Sequence, residues 1–155
     1  MSELQALEKW AGGLLAQLSS AARRTAMRDV ARELRRSQQA RIASQRNPDE
    51  SGYEPRKARV ARGKKLLEKK GRIKRAAMFA KLRTARFLRT EVDTMGLAIG
   101  FAGRVSRVAR VHQYGLTDHV APRGVEYKYP ARALLGFSNK DHELIRNILL
   151  NHLAG

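Results

Sequence analysis

Nearly all of a formal charge of +18 lies between Arg23 and Arg89, and outside that span the charges nearly balance. The densest part, Glu54 to Arg75, has Val60, Leu66, Leu67 and Ile73 as its only sizeable apolar residues. Blocks of like charge repel one another, stay solvated and remain flexible until a partner arrives. This stretch is therefore expected to be a mobile basic arm, with a short helix around Lys64 to Lys70 as its most ordered part. Self-repulsion on this scale opposes a compact monomer and attracts any polyanion. Nucleic acid, an anionic membrane or an acidic protein surface are the three sources of counter-charge.

At 155 residues and 43% hydrophobic content the chain is one domain with a modest core, and its 6% aromatic content is lean. The absence of cysteine excludes disulfide stapling and thiolate zinc sites and fits folding in a reducing cytoplasm. No segment approaches the apolar run needed to span a bilayer. The N-terminus, with Glu3 and Glu8 early, does not read as a signal peptide. Exit from a cell would then be by lysis or as part of a particle.

Ser2 to Leu18 reads as an amphipathic helix capped by Ser2, with Leu4, Leu7, Leu14, Leu15 and Leu18 in one broad stripe. Gly12-Gly13 weakens its middle by roughly 1 kcal/mol per glycine, so the helix is expected to rely on packing, with a neighbouring subunit as one source. Ser19 or Ser20 caps a second helix running to about Gln45, with Ala26, Met27, Val30, Leu34 and Ile42 on its apolar face and arginines over the rest. Asn47 to Gly52 is a loop of turn formers. Order returns at Met78-Phe79, and two paired strands, Phe87 to Val92 and Leu97 to Phe101, turn at Asp93 to Gly96.

A helix carrying Val105, Val108, Val111 and His112 at helical spacing ends at Tyr114, with Gly115 placed for a left-handed cap. A polar excursion through Asp118 to Gly124 leads to a third strand, about Val125 to Tyr129. Pro130 holds Tyr129 extended. Ser138 and Asp141 make a Ser-x-x-Asp capping pair for a last helix, Asn139 to Leu153, buried along Leu144, Ile145, Ile148, Leu149 and Leu153.

Chemistry-bearing patterns are few. His112 and His119 stand seven positions apart across a loop, and His142 and His152 share a helix at a spacing of ten. No His-x-x-x-His pair occurs. A structural role is expected for all four, His112 shaping the Gln113-Tyr114-Gly115 corner through a local hydrogen bond. No thiol nucleophile, Gly-x-Ser-x-Gly elbow or phosphate-binding glycine loop is present, and Gly100-Phe101-Ala102-Gly103 lacks the lysine of a P-loop. The reading is a non-enzyme without cofactor or metal. The helix from Ala21 to Gln45 lacks the Trp, Phe and Leu that would insert into a membrane. No zinc finger, zipper or aromatic base-stacking strand is present to read sequence, and Asn47-Pro48 puts a loop at the wrong place for a helix-turn-helix.

Two C-terminal segments, Arg110-Val111-His112-Gln113-Tyr114-Gly115 and Tyr129-Pro130-Ala131-Arg132-Ala133-Leu134-Leu135-Gly136-Phe137-Ser138, stand in an order and spacing that resemble the phage virion morphogenesis family, the tail completion proteins of contractile-tailed phages. The likeness extends upstream to Leu34 to Ile42, Gln45 to Asp49, Met78 to Arg83 and Gly100 to Arg104, and so spans most of the chain. It implies a structural protein of the tail or neck, in the virion after assembly in the host cytoplasm, that completes the tail so that it joins a DNA-filled head. Subunits would close head-to-tail into a ring, most simply a hexamer. Their neighbours would be a tail terminator, tube or sheath and a head connector, with packaged DNA passing through the lumen and no membrane partner.

The expected fold is α+β: a small, mostly antiparallel sheet packed on one side by helices, with an N-terminal helical extension and a basic arm. The single domain, 1–155, divides into helices at 1–46, a basic loop and arm at 47–77 and an α+β core at 78–155. Candidate polyanion contacts are Arg56, Lys57, Arg59, Arg62, Lys64, Lys65, Lys69, Lys70, Arg72, Lys74 and Arg75. The family-motif and interface candidates are His112, Gln113, Tyr114, Gly115, Pro130, Arg132, Leu135, Gly136 and Phe137. The competing readings are a nucleic-acid-binding protein of ribosomal or nucleoid type, for which binding itself is the function, and an adaptor with an acidic partner.

Overall fold

The computed structural model describes residues 2–56, 60–61, 64–65, 77–93 and 96–154, the two dipeptides by their backbone alone. Its first helix, α1 (Glu3–Leu15), is started by a reciprocal box: the Ser2 hydroxyl accepts from the Gln5 backbone N–H, and Gln5 Oε1 accepts from the Ser2 backbone N–H. Ser19 caps α2 (Ser20–Ala43) by accepting from the Ala22 N–H. The buried side of α2 is a row at four-residue spacing, Ala26, Val30, Leu34, Gln38 and Ile42, with Ala31 buried beside it. A row this narrow makes α2 the spine of the molecule, because different partners pack along its length.

At its N-terminal end Ala26, Val30 and Leu34 meet Leu7 of α1 and Ile145 and Leu149 of α4 (Asn139–Ala154), with Leu97 and Ile99 closing the cluster. The glycine-weakened α1 thus finds its apolar cover within its own chain, where sequence alone also allowed a neighbouring subunit. Farther along, Ile42 joins Tyr53, Leu82, Ala109 and Leu134 in a second cluster, flanked by Met78, Phe79, Phe101 and Val105.

Among the described residues the strands pair as three separate antiparallel two-stranded ladders, so the expected small sheet is divided. The largest joins β3 (Leu88–Asp93) to β4 (Gly96–Phe101), with Leu88 opposite Phe101 and Asp93 opposite Gly96. It is tied to α2 where Arg35 Nε donates to the Leu88 carbonyl at 2.8 Å. Val60–Ala61 (β1) pairs with Lys64–Lys65 (β2). The start of the short helix expected from Lys64 is therefore extended, since ladder pairing with Val60–Ala61 takes the backbone out of the helical region. The rest of that helix, Leu66 to Lys70, lies outside the described residues.

α3 (Val105–Tyr114) ends in the left-handed conformation at Gly115, φ 64°, as its position after the helix requires. It turns Ala109 and Val111 inward, whereas Val108, expected in the apolar stripe, is 45% exposed. The third strand expected at about Val125 to Tyr129 is β6 (Glu126–Lys128), and the segment read as a polar excursion supplies its partner β5 (Thr117–His119), around a turn closed by the Gly124 N–H to the Ala121 carbonyl. With three residues, all polar, β5 is too short to show a period of two in sequence.

Candidate functional site

Between Pro130 and Ser138 the chain forms no helix or strand, bends at Leu135 and lies in none of the ladders. Its backbone must still find hydrogen bonds where it is buried, and side chains supply them. The Ala133 N–H donates to Asn47 Oδ1 at 2.8 Å, and the Tyr53 hydroxyl donates to the Ala133 carbonyl at 3.0 Å. Gln113 copies the edge of a strand: its Oε1 accepts from the N–H groups of Leu134 and Leu135 at 2.8 and 2.9 Å, and its Nε2 donates to the Leu135 carbonyl at 2.9 Å. From α2, Arg41 donates to the carbonyls of Leu134 and Gly136, and Gln38 Oε1 accepts from the Gly136 N–H. Leu134, fully buried at the centre of this clamp, fixes its depth.

Gly136 is demanded by packing, because a Cβ there would sit 2.4 Å from Cγ of Pro48. Gly115 is constrained twice, by its left-handed φ and by the Ala131 backbone nitrogen 3.0 Å from the position of a Cβ.

Beneath the clamp lies a buried ionic node. Asp141, fully buried, accepts from the Ser37 hydroxyl, from Gln38 Nε2 and Arg41 Nη1 at 3.3 Å each, and from the Ser138 N–H at 3.0 Å. The Ser138 hydroxyl accepts from the Asp141 N–H in return, completing the capping pair expected for α4. Burial pulls the Arg41 pKa below its ordinary value, and the Asp141 carboxylate is the largest opposing influence.

On the other side, His112 bridges the end of α3 to the segment. Its carbonyl accepts from the Arg132 N–H at 2.7 Å, and its ring Nδ1 lies 3.3 Å from Arg132 Nη1. A guanidinium only donates, so Nδ1 accepts and the ring is neutral with its proton on Nε2. Burial first, and the Arg132 charge second, press the His112 pKa down to about 4. The ring stands edge-to-face with Phe79 and Tyr129, at 4.8 and 4.9 Å between centroids, inside an aromatic run from Tyr53 to Tyr127. Arg132, nearly buried, donates onward to the carbonyls of Glu54 and Pro55.

His112 makes the domain sensitive to acid in a defined window. Its folded pKa lies below the unfolded value of about 6.5, so the unfolded state binds more protons between the two and stability falls as pH drops through that interval. Between pH 7 and about 4.5 the native protein should lose about 2 kcal/mol more than His112→Gln, read by urea denaturation at both pH values. Equal losses would mean that His112 does not resist protonation. Asp29, Asp49 and Asp118 all have pKa values lowered from 3.8, and their contributions fade only below this window.

The interface candidates therefore converge, but with different exposures. His112, Gln113, Gly115, Pro130, Arg132, Leu135 and Gly136 are wholly or partly buried in the clamp, whereas Tyr114 is 67% exposed and Phe137 41%. Those two aromatics, with Phe101, Ala109, Arg110 and Leu135, line a groove of about 660 Å³ open to solvent. Beyond it the β5–β6 hairpin shows Val120 and Val125, the latter 81% exposed. Of the polyanion candidates, Arg56 is described and half-buried, and Lys64 and Lys65 are described by backbone only. Lys57, Arg59, Arg62, Lys69, Lys70, Arg72, Lys74 and Arg75 lie outside the described residues.

Sequence reasoning missed Gln38, Arg41, Asn47, Tyr53 and Asp141 as one network. A signal for it existed, because Gln38 interrupts an otherwise apolar row at four-residue spacing.

Among the described residues no cluster of His, Asp and Glu could hold a metal ion, and no helix is long and apolar enough to cross a membrane. The small α+β fold spends its buried polar groups on fixing one largely buried segment and the groove beside it. The chain belongs to the phage virion morphogenesis family, whose model matches residues 2–154, and its role is a structural one in completing the phage tail. It is 39% identical over 154 residues to tail completion protein S of Escherichia phage P2, an alignment that covers 99% of each chain. No solved structure matches it.

Proposed function

We propose that this chain is a non-enzymatic ring subunit of the phage tail or neck, added late so that a finished tail can join a DNA-filled head. The end-to-end similarity to a protein named for tail completion carries the reading. The groove lined by Tyr114 and Phe137 supports a contact between subunits, since half-exposed aromatics around a rigid backbone are the usual anchors of protein interfaces. Head-to-tail contacts of this kind close into a ring when the rotation permits, and a hexamer is the simplest match to a contractile tail. The neighbours in this reading are the tail terminator, tube or sheath on one side and the head connector on the other. The arm's positive charge faces either the DNA path or an acidic partner ring. Assembly takes place in the host cytoplasm and the protein ends in the virion.

A phage lacking this chain should accumulate DNA-filled heads and separate tails, counted by electron microscopy of lysates. Replacing Lys64, Lys65, Lys69 and Lys70 with glutamine should produce the same separation in part. Normal yields of joined virions without the chain would overturn the reading.

A further inference from the structure

The face of α2 turned away from the core carries Arg24, Arg28, Arg32 and Arg36, all exposed and each four residues from the next. They run parallel to the buried row Ala26, Val30, Leu34, Gln38 and Ile42 on the opposite side, so the packing that buries one row lays out the other. From Arg24 to Arg36 the helix rises about 18 Å. Asp29 and Glu33 flank the row. Asp29 bonds Arg32 at 2.5 Å and Glu33 bonds Arg36 at 3.0 Å, while Arg24 and Arg28 make no ion pair among the described residues.

We infer that this arginine row is a binding site for the phosphate backbone of duplex DNA, read without regard to sequence. Three observations choose that ligand. The large exposed apolar residues lie on α1, α3, the hairpin, the clamped segment and α4, and none is on α2. Protein interfaces need an apolar core, whereas DNA-binding surfaces are polar and strongly positive. A second copy cannot supply the counter-charge, because the chain has 14 acidic against 32 basic residues and Asp29, Asp118 and Asp141 already bond arginines. The geometry also suits a strand: the four arginines stand about 6 Å apart along the helix, close to the separation of successive phosphates along a winding DNA strand, so the row faces roughly three to four phosphates. The exposed pairs with Asp29 and Glu33 do not block the site, since such pairs are worth little and exchange readily.

The inference stands apart from the ring reading, because one soluble subunit should show it. Binding of the full chain to a short duplex of arbitrary sequence would be titrated between about 50 and 200 mM salt. The variant with glutamine at Arg24, Arg28, Arg32 and Arg36 should bind at least tenfold more weakly at the low end. Its slope of log affinity against log salt should be shallower by about 3–4, at roughly 0.9 for each phosphate that is no longer neutralised. Lysine at the same four positions should restore most of the slope, which separates charge from any loss of fold; thermal unfolding checks both variants. An unchanged slope in a folded glutamine variant would overturn the site. So would loss of polyglutamate binding with DNA binding intact, which would assign the row to an acidic protein.

Discussion

Asparagine in place of Asp141 should cost the domain about 3–5 kcal/mol, a large share of the stability of a chain this size. The substitution barely changes shape, so the loss isolates charge. Arg41 is 9% exposed and Asp141 not at all. Without the carboxylate, the guanidinium stays buried beside neutral groups while its Nη atoms remain committed to Leu134, Gly136 and Gln38. Breaking a buried pair from one side is far more costly than replacing both partners. Arg41→Met with Asp141→Asn should therefore cost clearly less than the sum of the single variants, a coupling of neighbours sharing one network. Urea denaturation of the four proteins measures it. A cost below about 1 kcal/mol for Asp141→Asn would show that the node is solvated and does not hold the clamp.

That node also shows what the sequence could and could not convey. The helices were legible because their signals are local: Ser2 and Ser19 as caps, Gly115 as a stop, and the Ser138/Asp141 pair before α4. The β3–β4 ladder was legible because Leu97, Ile99 and Phe101 alternate with small residues. Of the β5–β6 hairpin, β6 was read as a strand and β5 stayed hidden, since its three residues hold no core face whose period could betray them. Asp141 was read correctly as a capping residue and incompletely as a charge. Its partners Ser37, Gln38 and Arg41 lie about a hundred residues away, and nothing local distinguishes a capping carboxylate in water from one at the bottom of a core. The interface candidates were gathered as one motif, yet neighbours in it point to opposite sides of the protein surface.

Gln113 and Tyr114 make that last point testable, because alanine at these adjacent positions should give opposite results. Gln113→Ala removes one acceptor and one donor that satisfy three backbone groups of Leu134 and Leu135. Each buried group left unpaired costs about 1–3 kcal/mol. Water reaching the half-buried Leu135 from the groove softens the loss, so about 3–5 kcal/mol is expected in urea denaturation. Tyr114→Ala cuts a side chain that is 67% exposed, and its stability should stay within about 0.5 kcal/mol of the native protein. The effect of Tyr114→Ala should appear in assembly, as a folded subunit that sediments without forming the ring and supports few joined virions. A Tyr114→Ala protein that is unfolded would make the tyrosine a packing residue. One that is folded and assembles normally would take the groove out of the subunit contact. A Gln113→Ala protein as stable as the native chain would mean that the segment from Pro130 to Phe137 holds its course without the clamp, and the groove would lose its rigid wall.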